Sequence, residues 1–436
     1  MELVSTRKPT VRATFREAVF QGLAPDGGLY HPATHYDLKR LFGGLPGDSF
    51  QETAYEMARA LLGDEFDASV LRETVERAFP FAPVLNSLGE GISILELFHG
   101  PSCAFKDFGA SFLARVMEGL VSDWHKPPII LTATSGDTGS AVAQAFHGLQ
   151  NIEVVILYPS GRVSPLQEKQ LTTLGDNVRA LEIQGSFDDC QRLVKKAFLD
   201  PLLRRTLRLT SANSINIGRL LPQSFYYAHA WAQCRRDGTD AVSFCVPSGN
   251  FGNLTAGVFC KHWGMRVHGY IAATNVNDVV PKYLSSGIFA PRASVRTISN
   301  AMDVGNPSNF ERLVMLYDRD VQSMREEIRG CAVTDDETRR TMRRYYASAR
   351  TVPDPHTATG LFAAERLRAR GFGGETTICL ATAHAGKFEE VVREATGHTV
   401  EVPERIRQLL SRPKKSVMVE ASFPQLQSFL LDTYST

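Results

Sequence analysis

Lys106 lies in the stretch His99-Gly100-Pro101-Ser102-Cys103-Ala104-Phe105-Lys106-Asp107-Phe108-Gly109, between two phenylalanines and at the mouth of a predicted helix over 107–120. Apolar surroundings lower a lysine pKa toward neutrality, the condition an amine needs to attack a carbonyl and form a Schiff base. The same residues would also suit a lysine that lays its stem over two core aromatics and keeps its charge in water. Three loops further along the chain bear on that choice.

The first, Thr134-Ser135-Gly136-Asp137-Thr138-Gly139-Ser140, connects a predicted strand to a predicted helix. Its glycines allow a sharp turn, and its hydroxyls and free N–H groups at a helix start suit a carboxylate or phosphate, or simply a well-capped helix. The second, Pro247-Ser248-Gly249-Asn250-Phe251-Gly252-Asn253, has two glycines three residues apart before a helix. Backbone N–H groups can close on a phosphate there, although a glycine turn with left-handed asparagines would read the same way. Neither the nucleoside-triphosphate loop pattern nor the Gly-x-Gly-x-x-Gly dinucleotide fingerprint is present, so a compact phosphate ester fits best. In the third, Ala381-Thr382-Ala383-His384-Ala385-Gly386-Lys387, Thr382 puts a neutral hydroxyl at a strand end. Such a hydroxyl facing a heterocyclic nitrogen leaves that nitrogen unprotonated. His384 alone reads as a structural histidine. The eleven histidines form no metal-ligand spacing, and no metal is expected.

Together these are the parts needed to hold pyridoxal phosphate: its aldehyde on a lysine, its phosphate in a glycine loop, its pyridine nitrogen on a hydroxyl.

The elements that must position these loops follow an α/β pattern. Helices are expected at 12–20, 49–62 and 68–79, giving a helical N-terminal unit that ends near residue 90. From 92 onward, strand-length apolar runs alternate with helical stretches, the pattern of parallel sheets covered by helices. Strands are expected at 128–133, 152–157, 178–183, 241–246, 266–272 and 376–381. Long helices are expected at 218–235, 310–329 and 335–349 and an irregular surface at 290–309, while the tail after 396 carries little signal. In parallel sheets the strand-to-helix connections line the ligand crevice, which is where all three loops fall.

Composition narrows the partners. At 436 residues the chain is long enough for two or three units with a large core. Forty-eight basic against 47 acidic residues leave a charge of +1, which calls for neither nucleic acid nor an anionic membrane. Seven scattered cysteines, odd in number and without a Cys-x-x-Cys pair, argue against a disulfide framework and for a reducing cytoplasm. No run approaches the ~20 apolar residues that span a bilayer, and the N-terminus lacks a signal-peptide core. A small-molecule partner is expected.

The sequence resembles the threonine synthase family of fold-type II pyridoxal-phosphate enzymes. The matching words are residues 22–30 (GLAPDGGLY), 96–101 (ELFHGP) with 104–107 (AFKD), 133–139 (ATSGDTG), 246–253 (VPSGNFGN) and 380–384 (LATAH). The resemblance implies a tryptophan synthase β-like fold, with two parallel-sheet three-layer domains and a mainly helical N-terminal unit. The units would be 1–90, then 91–236 with the Schiff-base lysine and anion loop, then 237–436 with the cofactor phosphate loop. It implies pyridoxal 5′-phosphate joined to Lys106, with Asp137 at the ring hydroxyl, Gly249, Asn250, Phe251, Gly252 and Asn253 around the phosphate, and Thr382 on the pyridine nitrogen. Ser135, Gly136 and Thr138 correspond to the loop that holds the substrate carboxylate. Asn213, Ser214 and Arg219 correspond to the substrate-phosphate site, where an arginine fork suits a phosphate.

The implied reaction takes O-phospho-L-homoserine and water to L-threonine and phosphate in a cytoplasmic monomer or homodimer. A phospholyase of the same scaffold, giving 2-oxobutanoate, and a non-catalytic ligand-binding relative are the alternatives. Ser102-Cys103, Ala385-Gly386 and Thr357 depart from the family's usual residues; they spare the cofactor groups but touch the pocket's shape.

Overall fold

The computed structural model describes residues 1–435 apart from 122, 123, 125, 135, 240, 350 and 351. Two large sheets dominate it. In the first, the spatial order is Ser416–Glu420, Val178–Gln184, Glu153–Pro159, Pro128–Ala133, Arg208–Thr210, all parallel. In the second the order is Ile328–Ala332, Gly269–Thr274, Val242–Pro247, Thr376–Ala381, Ile92–Glu96, Val84–Gly89, parallel except for the last strand. Every residue of Pro128–Ala133 and of Val242–Pro247 is buried, as expected of parallel strands covered on both faces.

Helix Gln223–Arg236 carries much of the core between these layers, with Tyr227 edge-on to Phe244 and Tyr270 of the second sheet. Helix Lys106–Leu120 packs Phe108 and Phe112 into a cluster with Phe50, Phe79, Phe225 and Tyr226. Burying each such ring contributes roughly 1.5–3 kcal/mol, so the helix that begins with Lys106 is held firmly.

The structure departs from the sequence pattern in several places. Helices Phe50–Leu62 and Ala68–Ala78 form as expected, but a three-stranded antiparallel sheet of Glu2–Ser5, Arg12–Thr14 and Tyr30–Pro32 joins them, and the first helix spans Phe15–Gln21. Thr14 caps that helix in a capping box with Glu17, which fixes its start beyond residue 12. The helix expected over 218–235 divides into Ile217–Leu220 and Gln223–Arg236, with Pro222 at the break. The helix expected over 310–329 ends at Leu316; a turn with Asp318 and Arg319 in left-handed conformation leads to helix Val321–Glu327 and edge strand Ile328–Ala332.

The tail is ordered: Ser416–Glu420 joins the first sheet and helix Phe423–Tyr434 packs beneath it. Two strands therefore cross the boundaries drawn from sequence. Ile92–Glu96 belongs to the second sheet and Ser416–Glu420 to the first, because strand pairing follows register and burial rather than chain order. Among the described residues no helix is long and apolar enough to cross a membrane.

Candidate active site

A cleft of about 2450 Å3 is lined by segments that follow the carboxyl ends of strands in both sheets. Residues from Thr134 to Thr138 follow Pro128–Ala133, Ser248 to Asn253 follow Val242–Pro247, and Thr382 to Lys387 follow Thr376–Ala381. All three loops singled out from sequence meet here, together with Lys106, Asn213, Ser214 and Arg219. Ser135 lies outside the described residues.

Lys106 is placed by backbone rather than by its own side chain. Cys103 takes a left-handed φ of 56°, Ala104 bridges to Ala383, and the N–H of Phe105 donates to the carbonyl of Thr382 at 2.9 Å. The N–H of His384 donates to Cys103 O at 3.1 Å. These contacts dock the start of helix Lys106–Leu120 onto the end of strand Thr376–Ala381. Burial lowers the Lys106 pKa; Asp137, with Oδ2 3.6 Å away, opposes this, while Lys387 and Arg219 add to it.

Asp137 opens helix Asp137–Phe146. Burial would raise its pKa, but Lys387 at 2.6 Å and Lys106 outweigh that and hold the carboxyl below its usual range. Gln167 Nε2 donates at 3.3 Å to Asp137 Oδ1, the oxygen that Lys387 engages. A Cβ on Gly136 would lie 2.7 Å from Gln167 Nε2, so a larger residue there would push the Gln167 amide away from Asp137. Thr134 Oγ1 accepts from the N–H groups of Gly136 and Gly139, which fixes the turn.

The loop from Gly249 to Asn253 makes a cradle at the start of helix Gly252–His262, with Phe251 at φ 62°. A Cβ on Gly249 would lie 2.9 Å from Met302 Cα. The main-chain carbonyl of Asn250 accepts from Asn309 N at 3.1 Å, and Asn253 Oδ1 accepts from the hydroxyls of Tyr226 and Tyr227, both at 2.7 Å. Among the described residues, Asn253 Nδ2, Asn309 Nδ2 and Arg219 Nε are buried donors without a partner. Asn309 Nδ2 stands 3.3 Å from where a Cβ of Gly252 would sit. Unpaired buried donors carry a cost of about 1–3 kcal/mol each, which an anionic ligand would remove. The donor set and the glycine cradle fit a phosphate-bearing cofactor beside the Lys106 amine.

Arg219 is buried, donates from Nη1 to Ala212 O at 2.7 Å, and has its pKa pushed down to about 10 by burial, with Asp107 opposing. Asn213 accepts from Thr132 through its side-chain oxygen. Thr382 is buried and faces the cleft.

Sequence reasoning missed several residues at this site. Lys387 is wholly covered and pairs with Asp137. His356 lines the cleft, with Nδ1 2.7 Å from Asp354 Oδ1 and Nε2 accepting from Ala301 N at 3.2 Å. Arg312, fully buried, donates to Tyr30 O at 2.7 Å and also to Asn309 and Ile215 O, tying the N-terminal segment to the loop that carries Asn213 and Ser214. The Asp354-Pro355 pair at a helix start signalled the His356 turn. Nothing local signals Asp137 as the partner of Lys387, or Tyr30 and Ile215 as partners of Arg312, all of which lie more than 90 residues away along the chain.

A family model described as pyridoxal-phosphate dependent enzyme matches residues 80–383. The parallel sheets, the buried lysine and the glycine cradle are thus those of a pyridoxal-phosphate-dependent enzyme of fold type II. Models described as threonine synthase N terminus and threonine synthase, C-terminal match residues 2–79 and 357–430. A threonine synthase of Serratia marcescens is 42% identical over 433 residues, covering 99% of each chain. That of Escherichia coli K12 is 42% identical over 435 residues, covering 99% of this chain and 100% of its own. The crystal structure of a pyridoxal-phosphate-bound threonine synthase from Brucella melitensis superposes with a TM-score of 0.94 at 34% identity, covering 100% of both chains. The chain belongs to the threonine synthase family.

Proposed function

We propose that this protein converts O-phospho-L-homoserine and water to L-threonine and inorganic phosphate, with pyridoxal 5′-phosphate joined to Lys106. The observation that carries this reading is that Lys106, Thr382 and two residues with unpaired buried donors, Arg219 and Asn253, line one cleft. When bound, the cofactor supplies an aldehyde for the amine and a ring system that stores the electrons of a broken C–H bond.

The chain's own residues do the rest. Gly249, Asn250, Phe251, Gly252 and Asn253 would hold the cofactor phosphate, Asp137 would face the ring hydroxyl, and Thr382 would present its hydroxyl to the pyridine nitrogen. Because that hydroxyl is not an acid, Thr382 would leave the ring nitrogen of a bound cofactor uncharged, which favours elimination over transamination. Ser135, Gly136 and Thr138 bind the substrate carboxylate; Asn213, Ser214 and Arg219 bind its phosphate. The Lys106 amine would take the Cα proton and, once it has passed that proton on, one from Cβ; burial favours the neutral amine that each transfer requires. Phosphate leaves from Cγ, which gains a proton; the oxygen of water then bonds to Cβ, a proton returns to Cα, and the remaining proton of water leaves with the phosphate.

We further infer a cytoplasmic monomer or homodimer that works without nucleic acid. The balanced charge and the seven buried free cysteines support a reducing compartment and a small-molecule partner. Incubating the protein with phosphohomoserine and measuring threonine, phosphate and 2-oxobutanoate tests the reaction. Threonine and phosphate in equal amounts support it; 2-oxobutanoate in place of threonine would make the protein a phospholyase.

A further inference from the structure

Two lysines share one carboxylate in the cleft. Lys387 Nζ lies 2.6 Å from Asp137 Oδ1 and donates to Ser102 O at 2.8 Å, with its side chain fully covered. Lys106 Nζ lies 3.6 Å from Oδ2, and 17% of its side chain remains exposed, so of the two it is the one an incoming aldehyde can reach. Coulomb attraction falls with distance and a short charge-assisted hydrogen bond adds to it, so Lys387 holds the stronger claim on Asp137.

We propose that Lys387 is a positioning residue: it engages Asp137 from behind and thereby leaves the Lys106 amine free to react. The inference rests on reading Lys106 as the amine that takes the cofactor aldehyde. It adds a device that the reaction scheme does not contain, an internal competitor for the carboxylate beside the nucleophile.

The charged groups around this pair come from several elements. Lys106 faces Asp137 on helix Asp137–Phe146, Lys387 on the turn Ala385–Phe388 and Arg219 on helix Ile217–Leu220. Asp137 also faces His356 on helix Pro355–Arg368, and Asp107, next to Lys106, faces Lys387 and Arg219. Without Lys387, the nearest cation left to Asp137 is Lys106. A carboxylate turned fully onto an amine raises the amine's pKa by about 1–3 units. The resulting ammonium cannot attack until it loses its proton, since the amine nitrogen must bond to the aldehyde carbon as one water leaves.

The test follows the growth of visible absorbance when pyridoxal phosphate is added to the full-length chain freed of cofactor, across pH, so that no turnover is read. Lys387→Met and Lys387→Gln should both raise the pH midpoint of this reaction by about one to three units. Lys387→Gln keeps a hydrogen bond available to Ser102 O should Lys387→Met fail to fold. Combining Lys387→Met with Asp137→Asn removes the freed carboxylate and should bring the midpoint back down. An unchanged midpoint in both neutral variants overturns the proposal. So does a raised midpoint that persists in full in the double variant, because water entry or the lost repulsion between Lys387 and Lys106, rather than Asp137, would then be its cause. A wild-type chain that gains no chromophore, or a Lys106→Ala chain that gains the same one, brings down the reading of Lys106 itself and this inference with it.

Discussion

The main-chain N–H of Phe105 donates to the main-chain carbonyl of Thr382 at 2.9 Å. Residues far apart in sequence are thereby placed side by side through backbone alone, so side-chain changes at 382 leave Lys106 where it is. Two parts of the site, the amine and the strand-end hydroxyl, can therefore be varied separately.

Thr382→Ala should keep the fold and the cofactor but lose turnover. Removing one partner of a buried hydrogen bond costs about 1–3 kcal/mol, which corresponds to roughly a five- to 150-fold fall in kcat if the hydroxyl serves the ring nitrogen. Steady-state kinetics alongside cofactor absorbance checks this. Unchanged kcat would remove Thr382 from the site.

Gly249→Ala should weaken cofactor binding. Its Cβ would stand 2.9 Å from Met302 Cα, a backbone atom that cannot swing aside. Overpacking of this kind costs about 1–3 kcal/mol, and at 1.4 kcal/mol per tenfold the dissociation constant should rise roughly five- to 150-fold. A titration of the chain with pyridoxal phosphate reads the shift directly; an unaltered constant would show that the cradle yields freely.

Much of this site was legible in the sequence because its loops advertise their geometry. Glycine and hydroxyl residues directly after apolar strand runs mark close backbone approach and a ligand crevice, and they did so at 134–140, 247–253 and 381–387. Lys387 was legible as a residue but not as a partner, since its meaning depends on Asp137, which only the fold brings to 2.6 Å. Strand Ile328–Ala332 was hidden by the charge spacing of the segment before it and by its half-exposed edge position, where Arg329 and Gly330 break the apolar run. The N-terminal strands are three or four residues long, too short for a period-2 pattern to stand out.

Arg219→Lys should raise KM for phosphohomoserine more than it lowers kcat. Lysine keeps a charge but loses the fork and the buried Nε donor that has no protein partner. Charge-assisted bonds contribute about 1.5–3 kcal/mol, so KM should rise roughly ten- to 150-fold, with inorganic phosphate becoming a correspondingly weaker inhibitor. Equal KM values would move the substrate phosphate elsewhere.

Asp107 gives the protein a pH-dependent liability. Burial pushes its pKa up to about 6, with Ser102 and Lys387 opposing. Its folded pKa lies above the unfolded value of 3.8, so the folded state holds the proton more tightly, and stability from this group falls as pH rises from about 4 to 6, then levels off. Asp107→Asn removes that dependence. Relative to wild type, the variant should gain roughly 2–3 kcal/mol between pH 4 and pH 7, at 1.36 kcal/mol per unit. Thermal unfolding of both chains across this range measures the difference; a constant offset would mean that Asp107 is ionised throughout.

Arg312→Lys should loosen the loop carrying Asn213 and Ser214. Three buried acceptors from Tyr30, Asn309 and Ile215 share one guanidinium, and an ammonium cannot reach all of them. A stability loss of about 1–3 kcal/mol is expected for each acceptor left unmet, together with a higher KM for phosphohomoserine. Denaturant unfolding with parallel kinetics separates the two effects, and an unchanged KM would confine Arg312 to the fold.

The central claim is that one particular amine, Lys106 and not its covered neighbour Lys387, is bonded to the cofactor. Borohydride reduction of the pyridoxal-phosphate-loaded chain, followed by digestion and mass spectrometry, reads that bond site by site. The phosphopyridoxyl group should be found on the peptide containing Lys106. Finding it on Lys387, on another lysine, or on none would contradict the assignment.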